Sequence, residues 1–173
     1  MIVFVFSAFA ATAQVSTLSL KDRLVRIDSI PFWYTPLAYD DAKWKTYRFD
    51  KPVPLKGVDS NYASIVKRGK TVIPELINFL GDTTSTSILN RCDSGYVTIG
   101  QLAYFLINDI EFIPVPLVTR SQWCVMSECQ LLREGFLEYL RLGRDDFKKR
   151  YNHYFYSKMR RQHLNGTLKM TTF

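Results

Sequence analysis

Between Thr98 and Ile110, the residues Ile99, Leu102, Ala103, Leu106, Ile107 and Ile110 recur at i, i+3, i+4, i+7, i+8 and i+11. This spacing gathers apolar side chains along one face of an α-helix, and Thr98 stands where such a helix needs an N-cap. A face this apolar has to be buried against another element, and the sequence offers one a short distance upstream. In Thr71 to Leu80, Ile73, Leu76, Ile77 and Leu80 fall at i, i+3, i+4 and i+7. Thr71 is the expected cap, Pro74 fits the first turn, and Gly81 follows the end. The two segments are expected to pack as antiparallel helices through Leu76, Leu80, Ala103 and Leu106. The chain has 173 residues, of which 47% are hydrophobic and 23% charged. That is one domain's worth of chain with enough apolar surface for a core, and disorder as the main state is excluded.

Upstream, Ile2 to Ala11 form an uncharged run followed by Ala11-Thr12-Ala13. The pattern reads as a cleavable signal peptide over residues 1–13, with Gln14 the first residue of a single helical domain at 14–173, although no Lys or Arg precedes the run. The run is too short to span a membrane, and no later segment is long and apolar enough to do so. Leu20, Leu24 and Ile27 mark a short first helix that ends before Pro31. From Pro31 to Gly57, four prolines alternate with Phe32, Trp33, Tyr34, Tyr39, Trp44, Tyr47 and Phe49. Prolines at this density prevent a continuous helix, so a long irregular Pro/aromatic loop is expected. A short β pair around Tyr47 to Leu55 is compatible with it.

Sixteen residues from Asp82 to Val97, including Thr83-Thr84-Ser85-Thr86-Ser87, separate the two clear helices. They read as an elaborated polar loop, longer than helix hairpins need. A second Pro-bearing link, Phe112 to Pro116, leads past Arg120 and Trp123 to a final stripe of Leu132, Phe136, Leu140, Phe147, Tyr151, Tyr154 and Phe155. One long helix is expected there, weakened by Gly135, kinked near Gly143 and ended by Asn165-Gly166, with residues 164–173 fraying.

The stretch Gly69 to Asp82, with its Pro74-Glu75-Leu76-Ile77-Asn78-Phe79-Leu80-Gly81-Asp82 run, together with Thr98 to Ile107 resembles a single HEAT-type helical pair. In that family the first helix carries Pro-x-Leu-Ile-x-x-Leu-x-Asp and the second packs through a small residue, here Ala103. The resemblance covers about a quarter of the chain and has no second copy, and the sixteen-residue insertion departs from the family's tight turn. It implies HEAT-like helix packing and a surface that binds protein. The whole chain is also similar to small exported Bacteroidota proteins of unassigned function. The fold class is therefore mainly α, a compact helical domain.

Motifs for chemistry are wanting. Gly69-Lys70-Thr71 has the ending of a phosphate-binding loop, but the glycine required five residues earlier is Ser64, so the triplet is read as a helix start. His153 and His163, ten apart, do not share a helical face and hold no metal together. Asp145 and Asp146 have basic residues at i+4, Lys149 and Arg150, and read as helix ion pairs. Glu134 and Glu138 share a face near Cys129 and Arg141, which read as solvated, or as a site for a raised carboxyl if that face were buried. Asp109 and Glu111 have no recognisable partner. Cys92, Cys124 and Cys129 allow one disulfide in any of three pairings, or none. No catalytic residue, metal ligand or cofactor is assigned.

Charge is uneven. Arg141, Arg144, Lys148, Lys149, Arg150, Lys158, Arg160 and Arg161 face only Asp145 and Asp146, which places most of the chain's net +7 at one end. The expected function is a non-catalytic protein-interaction module, inhibitor-like or immunity-like, exported to the periplasm or beyond. Its candidate surface combines Trp33, Tyr34, Arg120 and Trp123, residue types that dominate binding hot spots. Two alternatives stay open, a binder of acidic surfaces or polyanions through the basic C-terminal helix, and an unrecognised enzyme. Nucleic acid is the disfavoured polyanion for an exported chain.

Overall fold

The computed structural model describes residues 18–31, 58–90, 95–121 and 135–166. The expected signal peptide, Phe32 to Gly57 with the β pair expected around Tyr47 to Leu55, all three cysteines, Trp123, Glu134 and residues 167–173 lie outside the described residues. The described chain is mainly helical, with eight α-helices and one two-stranded antiparallel sheet. Among the described residues no helix is long and apolar enough to cross a membrane.

Helix α1 (Leu20–Val25) starts at a capping box, in which the Ser19 hydroxyl accepts from the Asp22 amide and Asp22 accepts from the Ser19 amide. Such reciprocal bonds satisfy donors that every helix start leaves open. Helix α2 (Ser60–Lys67) is capped by Asp59, whose carboxylate accepts from the Asn61 and Tyr62 amides at 2.7 and 3.0 Å. A 3₁₀ turn over Gly69–Val72 then leads into α3 (Ile73–Phe79). Thr71 is not the cap of α3. Its hydroxyl donates to the Arg68 carbonyl at 2.8 Å, and α3 begins two residues later with no side-chain cap.

Helix α4 (Ile99–Ile110) begins at a Thr98–Gln101 capping box, and every residue from Ile99 to Ile107 is buried. A helix apolar nearly all round belongs at the centre of its domain, and α4 packs against α1, α2, α3, strand β2 (Gly95–Thr98) and helix α6 (Phe136–Leu142). Leu76, Leu80, Ala103 and Leu106 are all buried, and α3 packs on α4. The end of α3 meets the start of α4, where the Gly100 amide donates to the Asp82 carbonyl at 2.8 Å. A Cβ at Gly100 would lie 2.7 Å from the Leu80 carbonyl oxygen, so this approach requires glycine.

The polar link between α3 and α4 is not simply a loop. Strands β1 (Ser85–Asn90) and β2 pair antiparallel, with Leu89 opposite Tyr96 and Asn90 opposite Gly95. Residues alternate outward and inward along β1, with Thr86, Ile88 and Asn90 buried. Thr86 stands in for a missing apolar residue because its hydroxyl donates to the Val97 carbonyl at 2.7 Å.

The expected long C-terminal helix is three helices: α6, α7 (Arg144–Tyr156) and α8 (Lys158–Leu164). Gly135 does not weaken a helix interior. It is the left-handed N-cap of α6, at φ 69°. Gly143 ends α6, and a Cβ there would meet the Tyr139 ring at 2.9 Å. Ser157 makes the second break. Its extended backbone stops α7, while its hydroxyl donates to the Tyr154 carbonyl at 2.7 Å and accepts from the Arg160 amide at 3.1 Å. The stripe itself is inside, since Phe136, Leu140, Phe147, Tyr151 and Tyr154 belong to the single core cluster. Edge-on aromatic contacts join it to α4, with Tyr104 and Phe136 centroids 4.9 Å apart.

Candidate functional site

The second Pro-bearing link folds into α5 (Val115–Thr119), a single short helix that lies on α7. Thr119 bonds back to the Val115 carbonyl at 2.8 Å, and the helix stops because Arg120 takes the left-handed conformation at φ 55° and ψ 29°. Among the described residues Arg120 is the one non-glycine at positive φ, a conformation that costs a side-chain-bearing residue about 1–3 kcal/mol. Arg150 of α7 holds α5 down, donating from Nη1 to the Thr119 carbonyl at 3.1 Å. Its Nε is bonded to Asp146 at 2.7 and 2.8 Å, one turn earlier on the same helix.

Between α5 and the α7–α8 corner lies an open cleft of about 280 Å³. Its apolar lining is Leu117 and Val118 from α5, Met159 from α8 and Tyr154 from α7, and its polar lining is Arg120, Lys149, Arg150, His153 and Ser157. Helical spacing explains the α7 contribution: Lys149 and His153, and Arg150 and Tyr154, are i, i+4 pairs. The bonds from Arg150 to Asp146, and the charge of that carboxylate, raise the already high arginine pKa. Asp146 is correspondingly held low, first by Arg150. Burial, with the nearby charge of Glu111, pushes the Tyr154 phenol up to about 12. It therefore stays protonated at neutral pH, 3.1 Å from Nδ1 of His163. Arg120, Lys149 and His153 make no hydrogen bond or ion pair among the described residues.

A second polar cluster fastens α8. Glu111, just past the end of α4, accepts from Arg160 Nε and Nη2 at 2.5 and 2.7 Å and faces Lys70 Nζ at 3.3 Å. The Arg160 guanidinium also lies 4.1 Å from the centre of the Phe155 ring. Burial acts to raise the Glu111 carboxyl, but the bonds and charge of Arg160, then those of Lys70, outweigh it and leave the carboxyl below its ordinary value. Glu111 is thus neither unpartnered nor poised as an acid or base at neutral pH. Asp109, likewise expected to lack a partner, accepts from the Tyr62 hydroxyl at 2.6 Å.

The eight basic residues do not form one face. Lys149 and Arg150 reach the cleft, whereas Lys148 donates to the Asn78 carbonyl at 2.9 Å and Arg160 is taken up by Glu111. Arg141 pairs with Glu138 at 3.8 Å, and Arg144, Lys158 and Arg161 are exposed elsewhere on α7 and α8. Asp146 pairs with Arg150 as the spacing predicts. Of the four hot-spot candidates Arg120 is in the cleft, while Trp33, Tyr34 and Trp123 lie outside the described residues. Leu117, Val118, Ser157 and Met159 were not indicated by the sequence, although a serine between two basic helical stretches is an N-cap signal. Among the described residues no three His, Cys, Asp or Glu side chains are grouped to hold a metal ion. Comparison of this chain with protein-family models, curated proteins and solved structures finds no match.

Proposed function

We propose that this chain is an exported, non-catalytic protein-interaction module whose cleft between α5 and the α7–α8 corner seats an acidic group of its partner. The observation that carries the reading is the meeting of Arg120 with Lys149, Arg150 and His153 around one cavity. Two sets of residues far apart in sequence thereby converge on one small volume, and three of the four side chains make no hydrogen bond or ion pair among the described residues. A strained backbone at Arg120 supports the reading further, because conformational strain tends to persist where it positions a functional group. Binding is favoured over catalysis because, among the described residues, the carboxylates with displaced pKa values, Asp82, Glu111 and Asp146, are engaged with Lys21, Arg160 and Arg150. Export rests on the apolar N-terminal run and the Ala11-Thr12-Ala13 site.

The test is titration with poly-L-glutamate, followed by isothermal calorimetry at two salt concentrations. Wild type is expected to bind, to weaken as salt rises, and to lose about tenfold in affinity on combining Arg120→Ala with Lys149→Ala, which is on the order of the 1.4 kcal/mol that separates tenfold steps. A double variant that keeps its thermal midpoint and binds as wild type does would overturn the reading.

A further inference from the structure

Taking the cleft as the site of an acidic group, which rests on the reading above, we infer that its occupant is the C-terminal residue of a partner protein, bearing its free main-chain carboxylate and an apolar side chain. The cleft presents two chemistries inside one small space. Arg120, Lys149 and His153 offer donors that have no partner among the described residues, while Leu117, Val118 and Met159 offer aliphatic and thioether surface. Met159 is 43% exposed, and its flexible thioether chain can adapt to an apolar ligand group. The volume decides how far apart the two ligand groups can be. Pockets that enclose drug-sized ligands run to about 300–1,000 Å³, and this one holds about 280 Å³. It therefore accepts on the order of one residue. An anion and an apolar group enclosed together there are those of one residue.

A phosphate group has the charge without the apolar body. An internal Asp or Glu carries its carboxylate at the far end of its own side chain and continues into main chain on both sides, which leaves no room for an apolar neighbour in the same volume. A C-terminal Leu, Val, Ile or Met carries carboxylate and apolar side chain on one Cα and has main chain on one side only. Capture of a terminal carboxylate is an established way of reading peptide ends. Here arginine and lysine would neutralise it, with arginine able to grip both oxygens.

The experiment is ¹H–¹⁵N correlation spectroscopy on the full chain, titrated separately with N-acetyl-L-leucine, N-acetyl-L-leucine amide, inorganic phosphate and octanoate, with poly-L-glutamate as a separate arm. N-acetyl-L-leucine is expected to shift amides in residues 115–120 and 149–159, and to bind at least tenfold better than its amide or phosphate. Lys149→Gln and Met159→Ala should each weaken it several-fold while the thermal midpoint holds. Equal binding of acid and amide, phosphate binding as tight as the acid, or shifts outside these segments would overturn the inference. Octanoate binding tenfold tighter than N-acetyl-L-leucine would also overturn it, in favour of a free acyl chain. Poly-L-glutamate binding without a preference for N-acetyl-L-leucine would sink this inference alone, whereas failure of both probes would sink it together with the broader reading.

Discussion

Arg120 and Glu111 show how a single side chain can be held against its local preference. Arg120 sits at φ 55°, where a Cβ meets the neighbouring carbonyl and glycine does not. Arg120→Gly is therefore expected to raise unfolding free energy by about 1 kcal/mol while lowering affinity for poly-L-glutamate, two opposite changes that denaturation and calorimetry read independently. Glu111 is the reverse case, an ionised carboxylate with its side chain 5% exposed and stabilised by Arg160 and Lys70. Its pKa is lower in the folded chain than its ordinary 4.5, so the folded state binds the proton more weakly than the unfolded state does. Its contribution is complete above the ordinary value and is lost as pH falls through the folded one. Glu111→Gln should cost about 2–4 kcal/mol near neutral pH, because Arg160 is left half-buried without its counter-ion. The variant's stability should then fall less steeply than wild type's as pH drops below the ordinary 4.5, where a lowered carboxyl takes up its proton. Parallel urea midpoints across that range would show that Glu111 is not the group titrating. Neither environment was legible in the sequence, since the partners of Glu111 lie 41 and 49 positions away.

At the scale of elements, what could be read was periodic and local. The helices α3 and α4 follow from the spacing of Ile73, Leu76, Ile77 and Leu80 and of Ile99 to Ile110, and the Thr98 cap is where the sequence puts it. What escaped was decided by contacts at a distance. The β1–β2 hairpin looked polar because Thr86 and Asn90 occupy inward positions, which is tolerable only where a hydroxyl such as that of Thr86 finds Val97 on the facing strand. The single C-terminal helix became three because Ser157 can close one helix and open the next, whereas periodicity alone continues across it. The α3–α4 junction gives the sharpest packing test. Ala103→Leu adds three carbons at a fully buried position and should destabilise by about 1–3 kcal/mol through overpacking. Gly100→Ala should cost a similar amount, about 1–3 kcal/mol, because its new methyl meets backbone oxygens that cannot rotate away. A chemical-denaturation midpoint that stays put in either variant would place that residue outside the packed junction.

For the whole molecule the question is whether attraction of acidic groups comes from the net +7 charge or from one place on the surface. The concentration of basic residues after Arg141 and the prominence of Arg120 were both readable in the sequence. That α5 turns back onto α7 and brings them together was not, because the fastening runs from Arg150 to the carbonyl of Thr119, 31 positions earlier. A general field would respond to the loss of any one cation, since at long range only the sum matters. A cleft would respond only to the cations that line it. Lys149→Gln and Arg160→Gln each remove one positive charge, so they change the field at a distance alike, but one side chain lines the cleft and the other is occupied by Glu111. Lys149→Gln is expected to weaken poly-L-glutamate binding about five- to tenfold, on the order of 1 kcal/mol, with the thermal midpoint within a degree or two of wild type. Arg160→Gln should show the opposite division: about 1–3 kcal/mol of stability lost as Glu111 is left with Lys70 as its one cation among the described residues, with binding by the folded fraction within roughly twofold of wild type. Equal losses of affinity in the two variants, measured below the lower of their thermal midpoints, would assign the attraction to net charge and leave the cleft without a role.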